Sequence, residues 1–511
     1  MLDCLESMDA DVESAPCAAG SELAGTDAAA SIGAELREDA AGRLACAILR
    51  LDAFLRRQEC QARAAWDPTR QVGRALIEEG RRLLNGALSE SAPPPFEPTL
   101  RSAYRLIGIL GNLAAWSAPA TQESHALASF PVAAARDGVA YSRFGGAEIT
   151  AQEQAYASML GFHAYNARLL LTSSGMTAYA LIEAYLLREV LKPHDRILLH
   201  PSVYFETRRQ IESLPQVCVC TPAGGSREEI LAAIGTYQPR VVFVDPLSNA
   251  ADFRAVDMMR LLQQADRICR QETWFVVDST LLSGGFDPFA GPRREKVRVL
   301  YYESGCKYLQ FGMDLGAAGL VVVEAKLAPY FEQLRRGIGA ISSEALVLPR
   351  ASRRAYLDYL CAQTACAQAA ARAALETREA RALPESRCAS TRVIEPVHPS
   401  QQSHPDHADA QSYPHLGGVL VFRFANPRLN RRRPLEEFID LLIVRAREAN
   451  LTLTAGVSFG FSVPRIGAAW SSFEADEAFL RLSAGIDSRL AAALGRLVVE
   501  CAHPFAAKAA H

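Results

Sequence analysis

Two side chains of this sequence stand where strands would deliver them to a common edge. The apolar run 275–277 leads into Asp278, and the run 297–302 leads into Ser304, Gly305, Cys306 and Lys307. In open α/β sheets ligands bind outside the carboxyl ends of the strands, and an amine with an acid partner there suits a carbonyl cofactor. Pyridoxal phosphate is the obvious candidate. The amine would form a Schiff base with its aldehyde, and the carboxylate would keep the pyridine nitrogen protonated, so that the ring accepts the electrons of a substrate carbanion. Spacing alone does not select this reading, because a lysine and an aspartate picked blind are more often an exposed cation and the start of a turn.

The elements that would position this pair alternate. Strands are expected at residues 168–172, 196–200 and 240–244 in addition to the two runs above. Helices are expected after SSGM to about residue 191 and over 256–272. Alternating strands and helices predict a mostly parallel sheet with helices on both faces, an α/β fold. In SSGM, Ser174 is a candidate N-cap, and Gly175 lets its own amide and that of Met176 approach an anion at the positive helix end. A plain helix start reads the same way.

Outside this region the pattern changes. Residues 1–33 are rich in Ala, Gly, Ser and acids, carry little apolar periodicity, and are expected to be disordered. Over 34–138, Leu44, Ile48, Leu51 and Leu55, then Val72, Leu76, Leu83 and Leu84, recur at helical spacing; a proline-rich break at 92–98 precedes a third helix over 100–116. This predicts an added N-terminal helical block and arm, which either caps the fold or acts as a lid. Residues 139–330 are then the cofactor-binding domain, 331–385 a helical connector with a helix over 351–376, and 386–511 a smaller α+β domain.

The bulk composition narrows the partners. At 511 residues, with 49% hydrophobic and 22% charged residues, the chain has material for more than one globular domain. A net charge of −3 leaves no basic footprint for nucleic acid. The acidic start lacks the pattern of a secretory signal and no run reads as apolar for the length of a membrane span, so a cytoplasmic protein with no membrane partner is expected. Twelve cysteines without a CxxC pair are expected to be reduced and mostly buried.

The segments VVDST (276–280) and SGCKY (304–308) resemble the strand-end aspartate and Schiff-base lysine motifs of the Cys/Met-metabolism family of pyridoxal phosphate enzymes, which includes cystathionine gamma-synthase and gamma-lyase and methionine gamma-lyase. Matching segments follow in family order from about Val139 to about Ser488. The resemblance implies a fold type I, aminotransferase-like architecture, with Lys307 as the Schiff-base lysine and Asp278 on the ring nitrogen. It implies that Ser174, Gly175, Met176 and Ser304 hold the phosphate and that Tyr204 stacks on the ring and takes part in proton transfer. Asn249, in DPLSNA, would sit near the ring oxygen and the substrate carboxylate. Arg481, in LRLSAGIDS, would clamp that carboxylate, with Ser458 of VSFGFS lining the pocket. Tyr141 and Arg143, in VAYSRFGG, would reach the phosphate of a neighbouring subunit, so a homodimer with shared active sites, or a dimer of such dimers, is expected. Taken singly, each of these has a plainer reading as a cap, a turn, a core tyrosine or a surface ion pair.

Departures from the family pattern stand at Gly146, Ala147 and Glu148 in place of Asn-Pro-Thr, and at Phe205 and Glu206 in place of two glycines. Cys306 takes the place of a phosphate-binding threonine, as a packing substitution or as a weaker donor. The histidines His398, His404, His407 and His415 fall in a segment that is a loop in the family, and a metal site there is disfavoured. The implied activity is gamma-elimination or gamma-replacement on a small-molecule amino acid, in specialised metabolism to judge by the departures. A standard sulfur-amino-acid enzyme, a beta-lyase included, and an inactive scaffold of the same fold are the alternatives.

Overall fold

The computed structural model describes residues 24–60, 67–86, 88, 98–116, 147–162, 166–341, 343–381, 393–470 and 477–508. Helices α1 (Ala24–Cys60), α2 (Asp67–Asn85) and α3 (Pro98–Trp116) form the N-terminal block. Helix α1 begins before residue 34, within the stretch expected to be disordered, and its Ile32 is buried. Alanine explains the difference: it blurs apolar periodicity but is the best helix former. The block clasps the segment before the connector helix. Arg43 donates to the Leu346 and Leu348 carbonyls, the Arg350 amide donates to Asp39, and the Ser352 amide and hydroxyl donate to Glu35.

Helix α4 (Ala147–Leu160) leads into a seven-stranded sheet made of β1 (Ala167–Thr172), β2 (Arg196–Leu199), β3 (Cys218–Cys220), β4 (Val241–Val244), β5 (Thr273–Asp278), β6 (Val297–Ser304) and β7 (Gly319–Glu324). Their order is β1-β7-β6-β5-β4-β2-β3. Strands β6, β5, β4, β2 and β3 pair in parallel, and β7 runs antiparallel to both neighbours. A parallel return after β6 would need a crossover, usually a helix, and the chain between β6 and β7 holds only the short turn Tyr308–Gln310.

Successive residues of each strand serve different cores. Leu169, Val242, Phe275, Val299 and Val322 pack with the N-terminal helices and with α7 (Arg227–Tyr237) and α8 (Met258–Ile268). Leu170, Val241, Trp274, Leu300 and Val321 pack on the other face with α5 (Gly175–Tyr185) and α9 (Ala328–Ile338). This period-two division is what covering both faces of a sheet requires. Helix α6 (Phe205–Glu212) follows β2.

After α10 (Arg353–Arg381), a second sheet holds β8 (Ile394–Val397), β9 (Val419–Phe424), β10 (Thr454–Ala455), β11 (Arg465–Ala469) and β12 (Phe479–Ser483) in the order β10-β11-β12-β9-β8, with α11 (Arg432–Glu448) between β9 and β10. Helix α12 (Ser488–Lys508) has the length and apolarity to cross a membrane, which the sequence reading had denied to every run. One face of it, including Ala491, Leu494, Val498 and Val499, is buried, and a Cβ on Gly495 would lie 2.2 Å from the Ala370 carbonyl of α10. Its apolarity is thus used in close helix packing. The cysteines also differ from expectation: of the eight whose side chains are described, only Cys269, Cys366 and Cys501 are buried.

The edge strand β1 is tied to both flanking helices by one buried ion pair, Arg335 of α9 with Glu153 of α4. Arg335 also donates to the Leu171 carbonyl at 2.8 Å, and the Leu171 amide donates to Glu153 at 3.0 Å. Burial holds the Glu153 carboxyl above its ordinary range despite the guanidinium. Glu153→Ala leaves a buried cation and an amide unpaired, and is expected to cost about 3–5 kcal/mol in urea unfolding. Exchanging an exposed pair such as Arg445–Glu448 for alanines should cost about 1 kcal/mol or less.

Candidate active site

The carboxyl ends of β4, β5 and β6 open onto a cleft of about 370 Å³ lined by both sheets. Nine of the expected site residues line it: Gly175, Met176, Tyr204, Asn249, Asp278, Ser304, Lys307, Ser458 and Arg481. Strand β5 ends on Asp278 and β6 on Ser304, with Lys307 three residues beyond; Arg481 lies on β12, and Ser458 on the loop before β11.

Lys307 Nζ donates to Ser458 Oγ at 2.6 Å and lies 5.2 Å from the centre of the Phe459 ring. Burial, reinforced by the positive charge of Arg481, lowers its pKa from 10.5 to about 8. Arg481 donates to Asn249 Oδ1 at 2.5 Å and to the Val457 carbonyl. Burial lowers its pKa to about 10, so it remains a cation at neutral pH. Asp278 accepts from the Thr280 hydroxyl at 2.6 Å and the Thr280 amide at 3.0 Å, and the same hydroxyl accepts from the Ser304 amide at 2.9 Å. Burial raises the Asp278 carboxyl against the pull of Thr280, Tyr302 and Lys307. Beside it Asp245 is pushed well above the usual range, by burial and then by the charge of Asp278.

Tyr204 stands at the N-cap position of α6, without a side-chain capping bond, and packs its ring at 4.7 Å from that of Phe205. Its amide donates to Asp245 at 3.1 Å. Burial and the Glu206 carboxylate keep its phenol protonated. Ser174 caps α5 by accepting from the Thr177 amide, so it shapes the helix start without lining the cleft. Gly175 is required by close approach: a Cβ there would lie 2.8 Å from Ser304 Cβ. The Cys306 thiol donates to the Ala318 carbonyl at 3.6 Å, against the start of β7, and does not line the cleft, an arrangement that suits the packing alternative rather than a phosphate contact. Tyr141 and Arg143 lie outside the described residues.

The four histidines hold a loop. His404 pairs with the Asp252 carbonyl, His407 with the Pro399 carbonyl, His415 with the Ser283 carbonyl and His398 with the Ser400 hydroxyl. The neighbouring Asp406 accepts from Arg254 at 2.5 and 2.7 Å and from the Ala255 amide at 3.0 Å, fastening the loop that carries Asn249. Sequence reasoning passed over Asp245, Thr280, Tyr302, Phe459 and Trp470, all of which line the cleft. Asp245 had a usable signal, because it follows β4 as directly as Asp278 ends β5. Trp470 had none, since it comes from the other sheet.

The donor set suits a phosphorylated pyridine aldehyde. A weakly basic amine, a buried carboxyl that a ring N–H cation would hold ionised, a flat tyrosine and the start of α5 at Gly175 and Met176 converge here.

No family model matches the chain. The cystathionine gamma synthase of Xanthomonas oryzae pv. oryzae, in complex with cystathionine, superposes with a TM-score of 0.54 at 22% identity over 71% of this chain and 88% of that one. The cystathionine gamma-lyase of Lactobacillus plantarum, complexed with L-serine, gives 0.51 at 18% identity over 71% and 89%. The fold is theirs, and it is the α/β architecture that the motif resemblance implied. A curated relative, "Bifunctional enzyme flvA" of Aspergillus flavus, is 31% identical over 372 residues, which are 71% of this chain. The chain spans only 42% of that relative's length.

Reductive methylation of cofactor-free protein, followed residue by residue by mass spectrometry, is expected to modify Lys307 with a midpoint near pH 8. Arg481→Met should move this midpoint upward, because a cation that disfavours the ammonium form is gone. A midpoint that stays put would assign the shift to burial alone.

Proposed function

We propose that this chain is a pyridoxal phosphate-dependent enzyme of the Cys/Met-metabolism family. In this reading it cleaves a bond to a leaving group at Cγ of an amino acid and then releases the product or joins a nucleophile at that carbon. The observation that carries the reading is the weakly basic amine of Lys307 in one cleft with the Asp278 carboxyl and the Arg481 cation. Pyridoxal phosphate, when bound, supplies an electron sink for a carbanion at Cα.

The residues have distinct tasks. Arg481 offers a guanidinium fork to the substrate carboxylate, with Asn249 fixing the fork's orientation through its amide oxygen. Lys307, about half neutral near pH 8, takes the proton from Cα and carries it onward, and Ser458 holds the amine at 2.6 Å until then. Asp278, oriented by Thr280, faces the ring nitrogen, and Tyr204 backs the ring. The amides of Gly175 and Met176 and the hydroxyl of Ser304 take the phosphate. Tyr141 and Arg143 complete the phosphate site from a second subunit, so the active unit is a homodimer or a dimer of dimers.

The domain boundaries and cytoplasmic location expected from the sequence belong to this proposal, as does a role in specialised metabolism. Support for the last comes from Phe205 and Glu206, which put bulk and charge into a cleft where the family pattern has two glycines.

The purified protein is expected to carry a borohydride-reducible cofactor attachment that Lys307→Ala lacks, and the same variant should lose about 10³-fold in turnover. Arg481→Ala should lower kcat/KM by about 10²-fold or more. The assay is release of the leaving group from amino acids bearing halide, acyloxy or thioether groups at Cγ. Turnover of cystathionine, methionine or an O-acylhomoserine at ordinary enzyme rates would remove the specialised role. Cofactor attachment without release from any member of the panel would remove the reaction class.

A further inference from the structure

Beyond the positions that would hold a cofactor and one amino acid, the cleft continues along a wall of distinct chemistry. Phe205 packs against Tyr204 at 4.7 Å and reaches Trp470 at 6.3 Å, and the Arg432 guanidinium lies 5.3 Å from the Trp470 ring. Leu247, Val457, Ala468 and Ala469 extend this apolar lining. Among the described residues that line this wall the charged one is Glu206, which hydrogen-bonds the Tyr204 hydroxyl; Arg432 is not among the lining residues and donates to Glu436 at 2.8 Å.

Charge decides what such a wall accepts. Among the described lining residues the cations are Lys307 and Arg481. Both are committed in the proposed reaction, one to proton transfer and the other to the carboxylate of the first substrate. Arg209 lines a second, more open cleft that shares only Met176 and Glu206 with the first. A second substrate with a carboxylate, such as another amino acid, would therefore meet no free cation among these residues and would approach the Glu206 anion. Burying an unpaired charge against like charge is among the costliest arrangements in a protein interior. An uncharged apolar group meets only surface that prefers it to water.

We infer, on the basis of the proposed function, that this subsite takes an uncharged apolar nucleophile for addition at Cγ. Phe205 and Trp470 supply the contact area and Glu206 excludes anionic acceptors. With a thiol as probe the balance is simple. The Cγ bond to the leaving group breaks and its electron pair departs with that group. The sulfur supplies the pair of the new Cγ–S bond, and the thiol proton ends on the leaving group. The net change is amino acid–X plus RSH to amino acid–SR plus HX. These residues are specificity determinants, and Lys307 remains the proton carrier.

The test uses the holoenzyme with a gamma-substituted amino acid from which it releases the leaving group, and compares propanethiol, 3-mercaptopropionate and cysteamine as acceptors. The first two share a chain length and differ in terminal charge. Thioether formation, read by mass spectrometry, should show kcat/KM for propanethiol at least tenfold above that for 3-mercaptopropionate, which Glu206 repels, and above that for cysteamine, whose ammonium must be desolvated against the apolar wall. Glu206→Gln should narrow the gap to 3-mercaptopropionate at least threefold, and Trp470→Ala should raise the KM for propanethiol at least threefold. A charged thiol that equals or exceeds propanethiol overturns the inference, as does release of the leaving group with no thioether from any thiol. Failure to release the leaving group from any amino acid is a different result: the reading of the reaction falls, and the inference falls with it.

Discussion

Everything in the cleft depends on how closely the second sheet's loop is laid on the Lys307 backbone. Gly460, at φ +82°, would place a Cβ only 2.8 Å from the Lys307 carbonyl carbon, so no side chain fits and a left-handed conformation is needed as well. Tyr359 and Gln363 of α10 hold the loop through the Gly460 and Phe461 carbonyls at 3.0 and 2.9 Å. This closure brings Ser458 to the lysine amine and Phe459 beside it. It also removes enough water to bring the amine into its working range near neutral pH. A looser joint would leave an ordinary solvated lysine.

The opposite wall obeys a similar constraint. At the end of the first sheet, Ser304, Gly175 and Gly319 meet with no room for a methyl group: a Cβ on Gly319 would lie 2.1 Å from the Ser174 carbonyl oxygen. The positive end of α5 is thereby set against the end of β6, where an anion gains from both. Support extends outward from there. Asp406 and Asp409 fasten the segment bearing Asn249, with Arg227 donating to Asp409 at 2.6 Å and the Asp257 amide donating to it at 3.2 Å. The N-terminal block grips residues 346–352 through Arg43, Asp39 and Glu35. Glu344, at the start of the same stretch, accepts from the Ala317 amide just ahead of β7. The added helices are thus braced against the chain that follows the lysine.

Two cations and three carboxyls share this small volume, and their effects on one another set the chemistry. Arg481 helps to lower Lys307, Asp278 helps to raise Asp245, and Glu206 keeps Tyr204 protonated. In water such effects would be screened to little, whereas burial lets each charge be felt by the next. The aromatic and alanine wall formed by Phe205, Trp470, Ala468 and Ala469 adds no charge to this set, which is why Glu206 weighs so heavily on what enters.

Much of the arrangement was legible in the sequence because strand ends are local events. Apolar runs bounded by turn residues placed Asp278, Ser304 and Lys307 at one edge, and a Ser-Gly pair marked the start of α5, since capping and periodicity are decided within a few residues. Asp245 could have been read by the same rule. The chain alone did not reveal that Trp470 meets Phe205, that Glu206 reaches the Tyr204 hydroxyl, that Asp406 anchors Arg254, or that the Cys306 thiol turns to Ala318. Nor did it show that Ala24 already belongs to a helix. Contacts such as Asp406 with Arg254 join residues far apart in sequence and depend on how one sheet seats against the other. Their geometry, and with it the proton affinity of Lys307, arises only when packing has removed the water between them.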